Sequence, residues 1–205
     1  MTDHDSADRA WCVALVVALG SSMLLLALAP LALPPSYSWV RLGTSEAAAQ
    51  GIAGAWVARA GFVCFGLAVL GVCVLRHGAW QPLATGLHAC FGVGMMMVAV
   101  YSHAPWEAGV PYVELEDRLH SFFASVVGFS FIAGVATTLA VRRPRTRAST
   151  GGDIAALVIT STIPLLMANS YWGVLQRLMF LTAALWYALE LRRHSAADLR
   201  RSDGI

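Results

Sequence analysis

The sequence contains no lysine, so all 14 of its basic residues are arginines. This absence excludes a retinal or pyridoxal Schiff base, because both need a lysine amine. It also excludes a P-loop, which depends on a lysine. The four cysteines form no CxxC motif, and we expect them to be packing residues without a disulfide. The formal net charge of only +2 gives no reason to expect a nucleic-acid partner.

Charged residues are scarce as well, at 13% of the chain, whereas an ordinary soluble domain has about 25%. Hydrophobic residues make up 58% of the 205 residues, which indicates one integral membrane domain. A helix needs about 20 apolar residues to cross a bilayer. The sequence therefore predicts an all-α, polytopic membrane protein with six transmembrane helices in one bundle, flanked by tails at 1–10 and 192–205. The predicted spans are 11–33, 54–75, 82–101, 119–141, 154–170 and 173–191.

The arginines are distributed unevenly between the predicted loops. Ten of the 14 fall on one side, in the N-terminal tail, at Arg76, in the segment 142–147 and in the C-terminal tail. The acidic loops fall on the other side. By the positive-inside rule this predicts that both termini are cytoplasmic and that the acidic loops lie outside. Trp11 and Trp80 fit an aromatic belt at the inner interface.

This topology brings scattered polar residues to one depth near the outer surface. Charged groups in membrane segments are costly and mark function by default. However, Arg59 and Arg177 are close enough to the interface to extend their charges into water. The sequence leaves two interpretations open, a polar outer pocket or groups that only pack and anchor the bundle. The residues at this depth are Glu46, Arg59, His103, His120, Asn169, Gln176 and Arg177.

The stretch VELEDRLHSFF (113–123) combines acidic residues with His120. We interpret the acidic part as a solvated loop and His120, at the mouth of the fourth span, as the candidate site residue. Its unperturbed pKa near 6.5 suits a proton donor or acceptor. Arg59 and Arg177 would hold an anionic group, and Glu46 would orient His120 or pair with an arginine.

The histidines do not predict a metal or haem site. His88 and His120 would lie roughly 20 Å apart in depth at 1.5 Å per helical residue, so one haem cannot bind both. His103 and His120 lack the HExxH or HxxxH spacing typical of zinc ligands. We expect no metal and no other cofactor, and we expect His88 to be a hydrogen-bonded core residue.

Three short motifs resemble one known family. Ser45-Glu46 follows the first span and leads to ARAGFVCFGLAVLG (58–71), Leu119-His120 opens the fourth span, and Leu175-Gln176-Arg177 opens the last. In order and spacing, from about residue 12 to 192, the chain resembles the bacterial and archaeal membrane family called domain of unknown function 998. The resemblance implies six helices and a cell-membrane location, but no reaction.

Two stretches depart from the family pattern. Ala47-Ala48 stands where the family has Leu-Gly after Ser-Glu, and YSHAPWE (101–107) stands where it often has Phe-Pro-x-Asp. His103 therefore gains no support from the resemblance. The matching positions Ser45, Glu46, His120, Gln176 and Arg177 all fall on the predicted outer side.

The sequence favours a membrane protein with a polar outer pocket that binds a lipid or another amphipathic molecule. Ser45, Glu46, Arg59, Gln176 and Arg177 are the candidate ligand-binding residues, and His120 is the candidate catalytic residue. One alternative is a membrane-embedded lipid hydrolase or transferase that uses His120. Others are a structural or assembly protein and a small transporter. Membrane lipids are the expected partners, and the sequence leaves open whether the protein is an enzyme and whether it forms a homo-oligomer.

Overall fold

The computed structural model describes residues 3–142, 147–166, 168 and 170–202. Within these residues all regular elements are helical, and six helices are long and apolar enough to cross a membrane. The predicted all-α fold with six candidate transmembrane helices is therefore confirmed. The elements in chain order are α1 (Asp3–Leu28), α2 (Thr44–Ala47), α3 (Trp56–Arg76), α4 (Pro82–Val100), α5 (Glu114–Val141), α6 (Arg147–Thr162) and α7 (Trp172–Ser202), with 3₁₀ turns at Ala29–Ala32 and Ile163–Leu166.

Several helices extend beyond the apolar runs that predicted them. The predicted tails 1–10 and 192–205 are helical from Asp3 onward and as far as Ser202. The acidic residues Glu114 to Asp117 lie in the first turn of α5, so their interpretation as a loop is wrong. Carboxylates are favourable there because the N-terminus of a helix carries a partial positive charge. An apolar run indicates only the part of a helix that lies in the membrane, not where the helix ends.

Two prolines set the ends of α-helices. Proline lacks the backbone N–H and its ring clashes with the carbonyl four residues earlier. Accordingly α1 ends at Leu28 and continues as a 3₁₀ turn that contains Pro30, short of the predicted end at 33. Pro164 has a similar effect, because α6 ends at Thr162 and a 3₁₀ turn that contains Pro164 follows it.

The bundle has two chemically different ends. At one end, called the loop face, residues 36–50 and 101–113 contact each other and the start of α7, as in the bond from Gln50 Nε2 to the Ser102 carbonyl (2.8 Å). At the other, called the terminal face, Arg76 of α3 meets Glu190 of α7 (3.2 Å). Since the chain crosses the bundle six times, the start of α1 and the end of α7 lie at the terminal face.

Helix α4 packs between α3 and α5, and α7 packs against α1, α3 and α6. Glycines allow the closest approach: a Cβ on Gly66 would lie 2.5 Å from the carbonyl oxygen of Gly92. In lipid, such close packing and interhelical hydrogen bonds drive helix association more than hydrophobic burial does. The centre of the bundle is filled by buried aromatic rings, among them Phe62, Phe65 and Tyr187.

Candidate functional site

Arg177, one of the predicted binding residues, holds the segment 36–50, which we call the first loop. Its Nη1 donates to the carbonyls of Trp39 (2.8 Å) and Gly173 (2.9 Å), and its Nη2 donates to the hydroxyl of Tyr37 (2.7 Å). Hydrogen bonds from a charged donor are about twice as strong as neutral ones. Arg177 therefore joins the first turn of α7 to the backbone of the first loop.

Tyr37 links Arg177 to a second part of the first loop. Its hydroxyl donates to the carbonyl of Gly43 (2.7 Å) while it accepts from Arg177. Burial raises the pKa of the Tyr37 phenol, and the neighbouring Arg177 guanidinium opposes that rise. The phenol thus stays protonated and remains a donor at neutral pH.

Gln176 and Glu46 meet around Gly43. The Oε1 of Gln176 accepts from the backbone N–H of Thr44 (2.6 Å) and from its hydroxyl (2.9 Å). The Oε2 of Glu46 accepts from the backbone N–H of Gly43 (3.0 Å) and so caps α2. A Cβ at Gly43 would overlap the Gln176 amide, so a larger residue there would displace Gln176 from Thr44.

Arg59 fixes the far end of the first loop. Its Nε donates to the carbonyl of Ala48 (3.0 Å) and its Nη2 to that of Ala49 (2.9 Å). Arg59, Gln176 and Arg177 all use side-chain atoms to hold the first-loop backbone. Each of these contacts is an anchoring contact, which agrees with the second of the two interpretations left open by the sequence.

His120 lies apart from this group, against the end of α4. The residue is 2% exposed, and its Nδ1 donates to the carbonyls of Tyr101 (2.9 Å) and Val98 (3.2 Å). Its buried Nε2 has no hydrogen-bond partner among the described residues. Glu46 forms no hydrogen bond or ion pair with His120 or with an arginine in the described chain, so the expected orienting role of Glu46 is not seen.

The ring of His103 meets the ring of His120 edge to face, with centroids 5.3 Å apart. The Nδ1 of His103 donates to the carbonyl of Ala104 (2.8 Å). No group of three or more His, Cys, Asp or Glu side chains suited to a metal ion occurs in the part of the chain that the structure describes. Asn169, predicted at the same depth, lies outside the described residues.

Gln50 is a site residue that the sequence analysis missed. Its Oε1 accepts from the backbone N–H of Val113 (2.8 Å), while its Nε2 donates to the carbonyls of Val113 (3.1 Å) and Ser102 (2.8 Å). The side chain thus pairs with a backbone segment as a neighbouring strand would. The only signal in the sequence is an uncharged polar residue in a short loop, which is too common to single it out.

A cavity of about 100 Å³ lies within the half of the bundle nearest the loop face. Two predicted polar residues, Ser45 and Gln176, line the end of the cavity that meets the first loop. The rest of its lining is almost wholly apolar and comes from α3, α4, α5, α6 and α7. The other lining residues are Phe62, Phe91, Met95, Val98, Ala124, Val127, Gly128, Phe131, Thr160, Met179, Phe180 and Ala183.

The remaining predicted residues do not line this cavity. Glu46, Arg59, His120 and Arg177 are absent from its wall. The cavity can therefore hold an apolar group beside a hydroxyl and an amide, but it contains no charged group. Apolar lining residues were not predicted because, in a chain this hydrophobic, they look the same as residues that face lipid.

Comparison with known proteins places the chain in a family. No curated protein and no solved structure matches it. A family model described as "Protein of unknown function (DUF998)" matches residues 12–192, which is most of the chain and the range predicted from the three motifs. The protein is therefore a multi-pass integral membrane protein that belongs to the DUF998 family.

Proposed function

We propose that this protein binds a membrane lipid or another amphipathic molecule, with an apolar chain in the cavity and the polar end of the ligand toward the first loop. The observation that carries the proposal is the polarity gradient along the cavity. Its walls are aromatic and aliphatic side chains, and Ser45 and Gln176 stand at one end. Ligand sites of this kind are mostly apolar with a few placed polar groups.

The size of the cavity restricts what enters it. An apolar protein cavity of about 150 Å³ admits benzene. At about 100 Å³ this cavity suits the end of an acyl or isoprenoid chain rather than a whole lipid. The remainder of the ligand would lie along the helices and the first loop.

The route to the cavity favours a ligand from the bilayer. Ala124, on the cavity wall, is exposed at the surface of α5, and Gly128 one turn later is half-buried. Both lie in the part of the bundle that the membrane surrounds. A molecule already dissolved in the bilayer can therefore enter sideways, without passing through water.

Binding fits the geometry better than catalysis by His120. The imidazole is buried against backbone carbonyls and does not reach the cavity wall. A hydrolase or transferase would need a nucleophile or a general base at the ligand. Among the lining groups only the hydroxyls of Ser45 and Thr160 could attack, and Thr160 already donates to the carbonyl of Ala156 (2.7 Å).

Filling the cavity tests the proposal. A Cβ added at Gly128 meets nothing within 4 Å, so Gly128→Leu places a side chain in free space at the cavity wall. Gly20 on α1 is an exposed helical glycine with the same free space and provides the control Gly20→Leu. We expect native mass spectrometry in maltoside to find a lipid on the wild type and the control, and a clear loss from Gly128→Leu.

A second variant tests the polar end. We expect Ser45→Ala to weaken lipid retention by about threefold to tenfold, as for one lost neutral hydrogen bond. Ser125→Ala, which removes an exposed hydroxyl of α5 bonded to its own helix, should have no effect. Equal retention by all these proteins, or a wild type without lipid, would refute the binding proposal.

A further inference from the structure

The amide of Gln176 has a fixed orientation, which determines what the polar end of the cavity can recognise. Its Oε1 lies 2.6 Å from the backbone nitrogen of Thr44 and 2.9 Å from the Thr44 hydroxyl. A backbone N–H can only donate, so the amide atom that faces it must be the oxygen. The Nε2 of Gln176 is therefore the amide atom left for another partner.

That nitrogen has no partner within the described chain. The Nε2 of Gln176 makes no hydrogen bond there, and it remains accessible at the surface of the protein. The same is true of the Oγ of Ser45, the residue after Thr44. Both side chains are half-buried, and both residues line the cavity. Two hydrogen-bond donors with unused capacity thus belong to the polar end of the cavity.

This end of the cavity is uncharged. No residue in the described part of the cavity wall carries a formal charge. The guanidinium groups of Arg59 and Arg177 donate to carbonyls of the first loop instead. An anion at the polar end would lose water without gaining an opposite charge, which is costly. An uncharged acceptor needs only the N–H and O–H donors that are present.

Glycerolipids carry such an acceptor next to each apolar chain, in the carbonyl oxygen of the acyl ester. A carbonyl oxygen has two lone pairs and can accept two hydrogen bonds. It can therefore take the amide N–H of Gln176 and the hydroxyl of Ser45 together. The chain attached to it would then continue into the apolar part of the cavity.

We propose that the Nε2 of Gln176 and the Oγ of Ser45 bind the carbonyl oxygen of an acyl ester, so that the cavity selects ester-linked lipids. This inference rests on the proposed function, because it names the group that the polar end of the cavity binds. The headgroup of a phospholipid lies outside the cavity. Selection therefore depends on the ester and not on the charge of the headgroup.

The test compares two lipids that differ only in this carbonyl. Dimyristoyl phosphatidylcholine has two acyl esters, whereas its di-O-tetradecyl analogue has ether links with the same headgroup and the same chain length. An equimolar mixture of the two is added to the protein in maltoside, and native mass spectrometry gives the ratio of the bound lipids from one spectrum. We expect the wild type to retain the ester lipid about tenfold over the ether lipid, as for two neutral hydrogen bonds.

Gln176→Glu is the informative variant, and Gln81→Glu at an exposed position is its matched control. Glutamate can keep one oxygen toward Thr44, but it puts a second oxygen where the N–H donor was and so repels the ester carbonyl. The ester preference should disappear in Gln176→Glu and stay about tenfold in Gln81→Glu. Phosphatidylglycerol, phosphatidylcholine and diacylglycerol with the same acyl chains should be retained by the wild type to similar extents.

Equal retention of the ester and ether lipids by the wild type overturns the inference while the proposed function stands. Retention of neither lipid refutes the proposed function itself, and the inference with it. An ester preference that persists in Gln176→Glu, or a strong preference for phosphatidylglycerol over diacylglycerol, also overturns the inference. Should Gln176→Glu fail to fold, Ser45→Ala decides: its ester preference should fall by about threefold, and an unchanged preference rejects the site.

Discussion

The side-chain oxygen of Gln176 lies 2.6 Å from the backbone nitrogen of Thr44, across 132 residues of sequence. This bond joins the first turn of α7 to the short helix α2. It also places Ser45, the next residue, at the wall of the cavity. The polar end of the proposed ligand site therefore depends on how α7 holds the first loop.

Gln176→Leu should destabilise the protein, whereas Gln176→Glu should be tolerated. Leucine leaves the N–H of Thr44, a fully buried residue, without an acceptor, at a cost of about 1–3 kcal/mol. Glutamate keeps an oxygen that can accept from both Thr44 donors. Thermal unfolding in detergent measures the difference, and equal unfolding temperatures for the two variants would contradict this role of Gln176.

Gln50→Glu should loosen the loop face. The new carboxylate oxygen would replace Nε2 and face the carbonyl oxygens of Ser102 and Val113, which need a donor. We expect a loss of about 2 kcal/mol or more in the free energy of unfolding, together with faster amide exchange at 101–113. Gln81→Glu, at an exposed position, is the control, and a similar loss there would show that added charge alone is responsible.

Gly134→Ala should be destabilising, whereas Gly128→Ala on the same helix should be neutral or slightly stabilising. A Cβ at Gly134 would lie 2.7 Å from Cε1 of His88, and the imidazole cannot move aside because the rings of Trp80 and Trp186 lie against it. At Gly128 a Cβ meets nothing within 4 Å, so alanine adds only its better helix propensity, about 1 kcal/mol relative to glycine. Denaturation of both variants gives the sign of each change in the free energy of unfolding. A Gly134→Ala protein as stable as the wild type would show that the packing around His88 is loose.

The contribution of Tyr37 to stability should change with pH only in the alkaline range. Because burial raises its pKa in the folded protein, the contribution of the phenol is fully present below the unfolded pKa of about 10 and is lost as the pH rises through the folded value. The stability difference between the wild type and Tyr37→Phe should thus be constant from pH 7 to about 9 and shrink above about 10. A constant difference for Tyr37→Phe up to high pH would contradict the assigned cause.

The six candidate transmembrane helices could be predicted because the length of an apolar run is a property of the sequence itself. The same reasoning correctly gave His88 as a buried, hydrogen-bonded core residue, which bonds to the Tyr187 hydroxyl at 2.9 Å. The three family motifs at Ser45, His120 and Gln176 likewise predicted the family that the comparison confirms. The apolar helices and the family membership are thus readable without a structure.

Side-chain partners could not be predicted in this way. Trp80 was assigned to the inner aromatic belt, but it is 5% exposed and donates to Glu190, 110 residues away. Glu190 and Asp153 were not singled out, because sequence alone does not show which helix ends meet. Sequence likewise placed Ser45 and His120 together near the outer surface, while only Ser45 reaches the cavity.

The most direct test of the central claim is photo-crosslinking with a phospholipid that carries a diazirine at the end of one acyl chain. The account predicts adducts on cavity residues such as Met95, Met179 and Phe180, and their loss in Gly128→Leu but not in Gly20→Leu. Adducts confined to exposed residues such as Leu67 or Phe129, unchanged by Gly128→Leu, would contradict it.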